Sequence, residues 1–380
     1  MSRLHALYQV RAAAADIDMR AQALALEQSI EMPLAPVTSD FVRQEVVATV
    51  QSVVETAPGC FAVMLGIATA TTGGEIGQTM NMLFGNCSLQ NDVELVDVGL
   101  PDDFLAAYAG PRHGLAGLRA CVGAGKRALT MTALKPQGLS AADLGVLCGT
   151  FAEAGLDIIK DDHGIANQAY SPFAARVASC QAALRRANAA TGGRSVYAPS
   201  LSGGPRQLRE QLKIVREEGV GMVLACPMLM GLACFQEIVE HDLDCPVLAH
   251  PALGGAVRIH PPLLFGRLFR LLGADATIFP NYGGRFSYSR ATCEALAHAA
   301  RAPWQSLRPI APVPAGGMNV ERVPEMIEFY GRDVILLIGG ALLSAGKELA
   351  ARSRAFVDTV RMVSERKTDD DDQTPSRPHR

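Results

Sequence analysis

Between Ala128 and Ile338 the chain repeats one pattern eight times, a short apolar run followed by a segment with helical spacing. The runs are Ala128–Leu134, Leu156–Ile159, Ser195–Ala198, Gly221–Cys226, Pro246–Ala249, Ala276–Phe279, Arg308–Val313 and Val334–Ile338. A parallel sheet covered by helices needs strands that are apolar nearly throughout, and runs of this kind are its signature. The segments between them, such as Ala141–Ala154 and Arg206–Glu218, carry apolar residues at intervals of three and four. Eight strand–helix units over roughly 250 residues predict a TIM (β/α)8 barrel, placed here at residues 113–362. A doubly wound sheet usually has fewer strands, though the pattern alone does not exclude it.

Residues 1–112 have a different texture and predict a smaller α+β domain. Ala6–Val10, Val46–Val54 and Cys60–Gly66 read as strands, and Ile17–Ile30 has helical spacing, with Ala21, Leu24 and Ala25 on one face. The stretch Thr71–Gly77 is glycine-rich but lacks the G-x-x-x-x-G-K-[ST] spacing of a phosphate loop, and is read as a plain loop. Residues 363–380 contain four successive aspartates and two prolines and read as a disordered acidic tail. A net charge of -3 leaves no basic footprint for nucleic acid. No apolar run approaches the ~20 residues that span a bilayer. The start, Met1-Ser2-Arg3-Leu4-His5, lacks the regions of a secretory signal. Nine cysteines stand singly, with no C-x-x-C pair, as core thiols of a reducing compartment would. A cytoplasmic protein without nucleic-acid or membrane partners is expected.

In a barrel of this type the chemistry gathers where strands end. The second run ends in Lys160-Asp161-Asp162-His163, an ionisable cluster able to hold a hard divalent cation and tune a base, or simply to lie solvated. The first ends in Lys135, a candidate acid or base, and the fifth in His250. The sixth leads to Asn281-Tyr282-Gly283-Gly284-Arg285. The seventh and eighth end in Gly316-Gly317 and Gly339-Gly340, where backbone N–H groups can approach a phosphate closely.

These motifs resemble, in order and spacing, those of the ribulose bisphosphate carboxylase (RuBisCO) large-chain family, from Tyr8 to about Ala345. Lys-Asp-Asp-His at 160–163 resembles the family's metal motif, with His163 where the family has glutamate. The resemblance implies Mg2+ held by a carbamate on Lys160, by Asp162 and by residue 163. It also implies proton transfer by Lys135, in Lys-Pro-Gln-Gly-Leu-Ser, and a role for His250. Phosphate binding falls to Gly317, Gly339 and Gly340. Arg285 stands for the mobile-loop lysine. Glu27 and Asn86 fall on residues that a ferredoxin-like N-domain supplies to the partner's site in a homodimer. The second phosphate site is missing: Pro251, Ile278 and Ala315 replace its polar residues. The chain thus resembles a RuBisCO-like, form IV protein rather than a carboxylase.

Such resemblance implies a metal-stabilised enediolate made from a phosphorylated sugar or sugar acid. The favoured expectation is decarboxylation of 3-oxo-isoapionate 4-phosphate, with Lys135 or His250 protonating the enediolate. The alternatives are an isomerase or enolase of a methylthio-sugar phosphate, a transcarboxylase or hydrolase of the same sugar acid, and a non-catalytic binding protein.

Overall fold

The computed structural model describes residues 2–286 and 288–373. Leu4, Ala6, Tyr8 and Val10 alternate with more exposed residues and are fully buried, which makes β1 (Arg3–Arg11) a strand with one face on a core. It is flanked in an antiparallel sheet by β2 (Thr49–Ala57), β3 (Cys60–Ala68) and β4 (Val93–Gly99), in the order β2-β3-β1-β4. Helices α1 (Ile17–Glu27) and α2 (Ile76–Phe84) complete a β-α-β-β-α-β chain order, the ferredoxin-like arrangement. The expected loop Thr71–Gly77 is instead a 3-10 turn followed by the start of α2. Glu75 caps that helix by accepting from the N–H groups of Gly77 and Gln78, so a residue that reads as loop filler sets a helix start.

The second sheet is parallel. It consists of β5 (Leu129–Leu134), β6 (Ile158–Asp161), β7 (Val196–Ala198), β8 (Ser200–Leu201), β9 (Val223–Ala225), β10 (Val247–Ala249), β11 (Ala276–Pro280), β12 (Ala311–Ala315) and β13 (Ile335–Leu337). Its order, β7-β6-β5-β13-β12-β11-β10-β9-β8, begins and ends on neighbours separated only by Pro199. Strands β7 and β8 are therefore two halves of one stave. Proline has no N–H for the ladder, and its carbonyl accepts from Leu224 N at 2.9 Å. Eight apolar runs thus make nine strands and an eight-staved TIM barrel. Met131, Ile158, Leu224, Leu248, Ile278 and Val313 pack inside it. At its base the Asp275 carboxylate accepts from His113 N, Gly114 N and Val247 N, fixing the chain where it enters the barrel.

The expectation of a disordered tail from residue 363 is corrected for its first part. Helix α3 (Leu349–Gln373) runs through it. Phe356, Val357, Val360 and Ser364 recur at helical spacing and are buried, and the Ser364 hydroxyl accepts from Ala128 N. Residues 374–380 lie outside the described residues. No helix among the described residues is long and apolar enough to cross a membrane.

Candidate active site

The strand expected to stop at Ile159 continues through Lys160 and Asp161, both of them buried. Successive side chains of a strand point to opposite faces, so these two neighbours part company. Lys160 follows Ile158 toward the barrel interior and lines a cavity of about 1020 Å³ at the C-terminal mouth. Asp161 points outward to the helix layer. It accepts from Arg176 Nε at 3.0 Å, Tyr197 OH at 2.7 Å and Ser200 N at 3.0 Å. Arg176 is fully buried beside it. Of the two carboxylates in the motif, one is structural and only Asp162 faces the cavity.

Asp162 lies 2.7 Å from Lys135 Nζ and 3.6 Å from His163 Nδ1. Burial alone would push its carboxyl up, but hydrogen bonds to His163 and Lys135 and the charge of Lys160 outweigh it and hold the group well below the usual carboxylate range. Lys160 donates to the Asp161 carbonyl at 2.9 Å. Burial brings its ammonium down to about 8, with Asp162 opposing that shift. The rings of His163 and His250 stack, with centroids 4.2 Å apart. His250 Nδ1 accepts from Ala252 N at 3.2 Å, leaving Nε2 to carry the proton. Burial, then the charges of Lys160 and His163, pushes the His250 pKa down to about 2, so it is a neutral donor.

The glycine loops form one side of the cavity. Gly317 has φ +66°, and a Cβ there would sit 2.7 Å from Gly284 Cα and 2.8 Å from the Gly283 carbonyl. The loops after β11 and β12 touch only because neither carries a side chain at that point. Arg322 Nη1 donates to the Gly317 carbonyl at 3.0 Å. Gly339 and Gly340 follow β13 on the same cavity, and Arg285, from the loop after β11, lines it too, its guanidinium 5.0 Å from the Phe286 ring centroid. The rest of the lining is rich in apolar side chains, among them Pro251, Leu253, Phe265, Ile278 and Ala315.

The structure brings together nine of the residues singled out in the sequence around this cavity: Lys135, Lys160, Asp162, His163, His250, Arg285, Gly317, Gly339 and Gly340. It does not bring Glu27 and Asn86 there. These two meet each other instead, Asn86 Nδ2 donating to Glu27 Oε1 at 3.0 Å on the exposed surface of the N-terminal sheet domain. The lining residues Leu253, Phe265 and Met318 were not singled out. Phe265 and Met318 carry no sequence signal, whereas the Gly254-Gly255 pair after Leu253 marked a tight turn at a strand end.

The side chains as they stand do not make a Mg2+ cage. Among the described residues no three His, Cys, Asp or Glu converge on a metal position. His163 stacks on His250, and imidazole suits Mg2+ poorly. A carbamate on Lys160 changes the donor set, adding oxygens beside Asp162. Its formation needs a neutral amine, which a pKa near 8 supplies. The residues therefore fit the cation with Lys160 modified and not otherwise.

Comparison with known proteins agrees with this geometry. Residues 114–356 match the family model of the ribulose bisphosphate carboxylase large chain, catalytic domain. The chain is 52% identical over 359 residues to a 5-methylthioribulose-1-phosphate isomerase of Rhodospirillum rubrum, covering 94% of this chain and 96% of that one. A Rubisco-like protein of Rhodopseudomonas palustris, solved by crystallography, superimposes with a TM-score of 0.89 at 50% identity, over 95% of this chain and 98% of the other. A 2,3-diketo-5-methylthiopentyl-1-phosphate enolase of Geobacillus thermodenitrificans is 31% identical over 290 residues, 74% of this chain and 70% of its own.

Proposed function

Because the chain belongs to the RuBisCO large-chain family, as one of its RuBisCO-like proteins, we propose that it isomerises a methylthio-sugar phosphate of the 5-methylthioribulose 1-phosphate kind. The observation that carries this reading is the mixed lining of the cavity, glycine loops after β12 and β13 together with the apolar side chains of Pro251, Leu253, Phe265 and Ile278. A phosphate suits the first and a thioether the second. The relative at 52% identity, named for that isomerisation, supports the same choice. The decarboxylase expectation is the weaker one. Its sugar-acid substrate carries a carboxylate, and a carboxylate set against Pro251, Ile278 and Ala315 would lose its hydration without gaining a partner.

Isomerisation needs no oxidant or co-reactant. A proton leaves the carbon next to the carbonyl, an enediolate forms, and a proton is delivered to the former carbonyl carbon. Gly317, Gly339 and Gly340 bind the phosphate through backbone N–H groups and set the sugar's register. Asp162 and a carbamate on Lys160 would hold Mg2+, which when bound stabilises negative charge on the substrate oxygens. Neutral His250 donates from Nε2 to the oxygen on which charge develops. An oxygen of the Lys160 carbamate takes the proton. Lys135, paired with Asp162 at 2.7 Å, delivers a proton of its own to the other carbon, and both groups recover their starting state by exchange with solvent between turnovers. Ile278 and Phe265, both buried, present apolar surface to the cavity that holds the enediolate.

The reading is tested by incubating the protein, with Mg2+ and bicarbonate, with 5-methylthioribulose 1-phosphate in D2O and following it by NMR. We expect isomerised product, and in Lys135→Ala a loss of product of about 100-fold or more with exchange at the deprotonated carbon retained. Carbon dioxide release from a 3-oxo sugar-acid phosphate, with no turnover of the methylthio sugar, would instead establish the decarboxylase.

A further inference from the structure

Leu253 is one of three non-glycine residues among those described with positive φ, at +66°, and the one that lines the cavity. A left-handed backbone costs a leucine roughly 1–2 kcal/mol. The next two residues, Gly254 and Gly255, are of the type that adopts it freely. Gly254 is needed for a different reason, since a Cβ there would sit 2.4 Å from the Phe265 ring. The strain at Leu253 is compounded by exposure: 55% of this large apolar residue faces solvent at the cavity mouth.

The turn that imposes this conformation is tied at both ends. Ala252 N donates to His250 Nδ1, Gly254 N to the Pro251 carbonyl at 2.9 Å, and Ala256 N to the Leu253 carbonyl at 3.0 Å. The backbone that fixes the His250 tautomer therefore also presents Leu253 to the cavity, which Pro251 lines as well. A strained, half-exposed side chain held by such a frame points to a ligand that covers it.

We propose that Leu253 is the residue that selects for the thioether end of the substrate, its isobutyl group closing on the methylthio group at the mouth of the apolar wall. This rests on the methylthio-sugar phosphate reading and adds a specificity determinant to it. Loss or gain of one small apolar contact in a pocket changes discrimination by about 10-fold or more.

The test uses the full chain with Mg2+ and bicarbonate. Affinities are measured by calorimetry for two alcohols that cannot isomerise, 5-methylthioribitol 1-phosphate and ribitol 1-phosphate, in wild type and Leu253→Gly. Glycine adopts φ +66° without strain, so the variant should keep its melting temperature. Wild type should prefer the methylthio compound by about 10-fold or more, and the variant should lose most of that preference while binding ribitol 1-phosphate unchanged. A wild type without preference, or a variant that keeps it, overturns the proposal. Should Leu253→Gly melt early, Leu253→Ala is read by the same ratio. Turnover of the corresponding ketone is assayed alongside. Preference without turnover leaves Leu253 as the selector and removes only the isomerase reading.

Discussion

Lys160 and Asp161 are consecutive and equally buried, yet they serve opposite sides of a barrel wall. The pleat sends the amine inward and the carboxylate to Arg176. That position gives Lys160 a pH signature. Its folded-state pKa, about 8, lies below the ordinary lysine value, so the neutral amine gains ground as pH rises through 8. By that value it grows from about a tenth at pH 7 to about nine-tenths at pH 9. At equal dissolved CO2 and Mg2+, preincubation at pH 9 should give several-fold faster activation than at pH 7, read as initial rate after dilution into one assay buffer. Lys160→Met should show no activation at either pH. Equal activation at the two pH values would mean that no carbamate forms there. The sequence showed that the cluster carries chemistry but not which carboxylate carries it, because the answer depends on where the strand ends. Two further residues of strand moved Asp161 out of the site.

At the scale of elements, the loops after β11 and β12 share one contact at Gly284 and Gly317. Gly317→Ala places a Cβ in that contact at a backbone angle alanine resists. It should raise KM for the phosphorylated substrate by about 10-fold or more while costing the fold only about 1–2 kcal/mol. Steady-state kinetics beside a denaturant melt would separate the two, and an unchanged KM would remove Gly317 from phosphate binding. The glycine pairs were legible because their numbers in the strand order are informative. Strand identity was legible because barrel staves are apolar on both faces. The break at Pro199 was not, since a proline at a run's edge reads as its end rather than its middle. Strand β4 was missed although Val93, Leu95 and Val98 are buried, because its intervening Glu94 and Asp97 dilute the apolar signal.

On the scale of the whole molecule, Glu27 and Asn86 face solvent together, away from the cavity of their own chain. If they complete a partner's cavity, as the family resemblance implies, two defective chains should repair each other. Asn86→Ala and Lys160→Met chains, each inactive alone, should on mixing recover about a quarter of wild-type activity, since half the dimers would hold one intact site. No recovery after subunit exchange, verified by mass, would place the pair outside catalysis. The apolar lining also limits which substrates the site could come to accept. Bisphosphate binding would need an arginine at Pro251, but that change alone would set a cation beside Ile278 and Ala315, whose side chains offer it no hydrogen-bond partner. Polar replacements at 278 and 315 would be equally idle without the arginine. A gain of bisphosphate binding would therefore need these changes together.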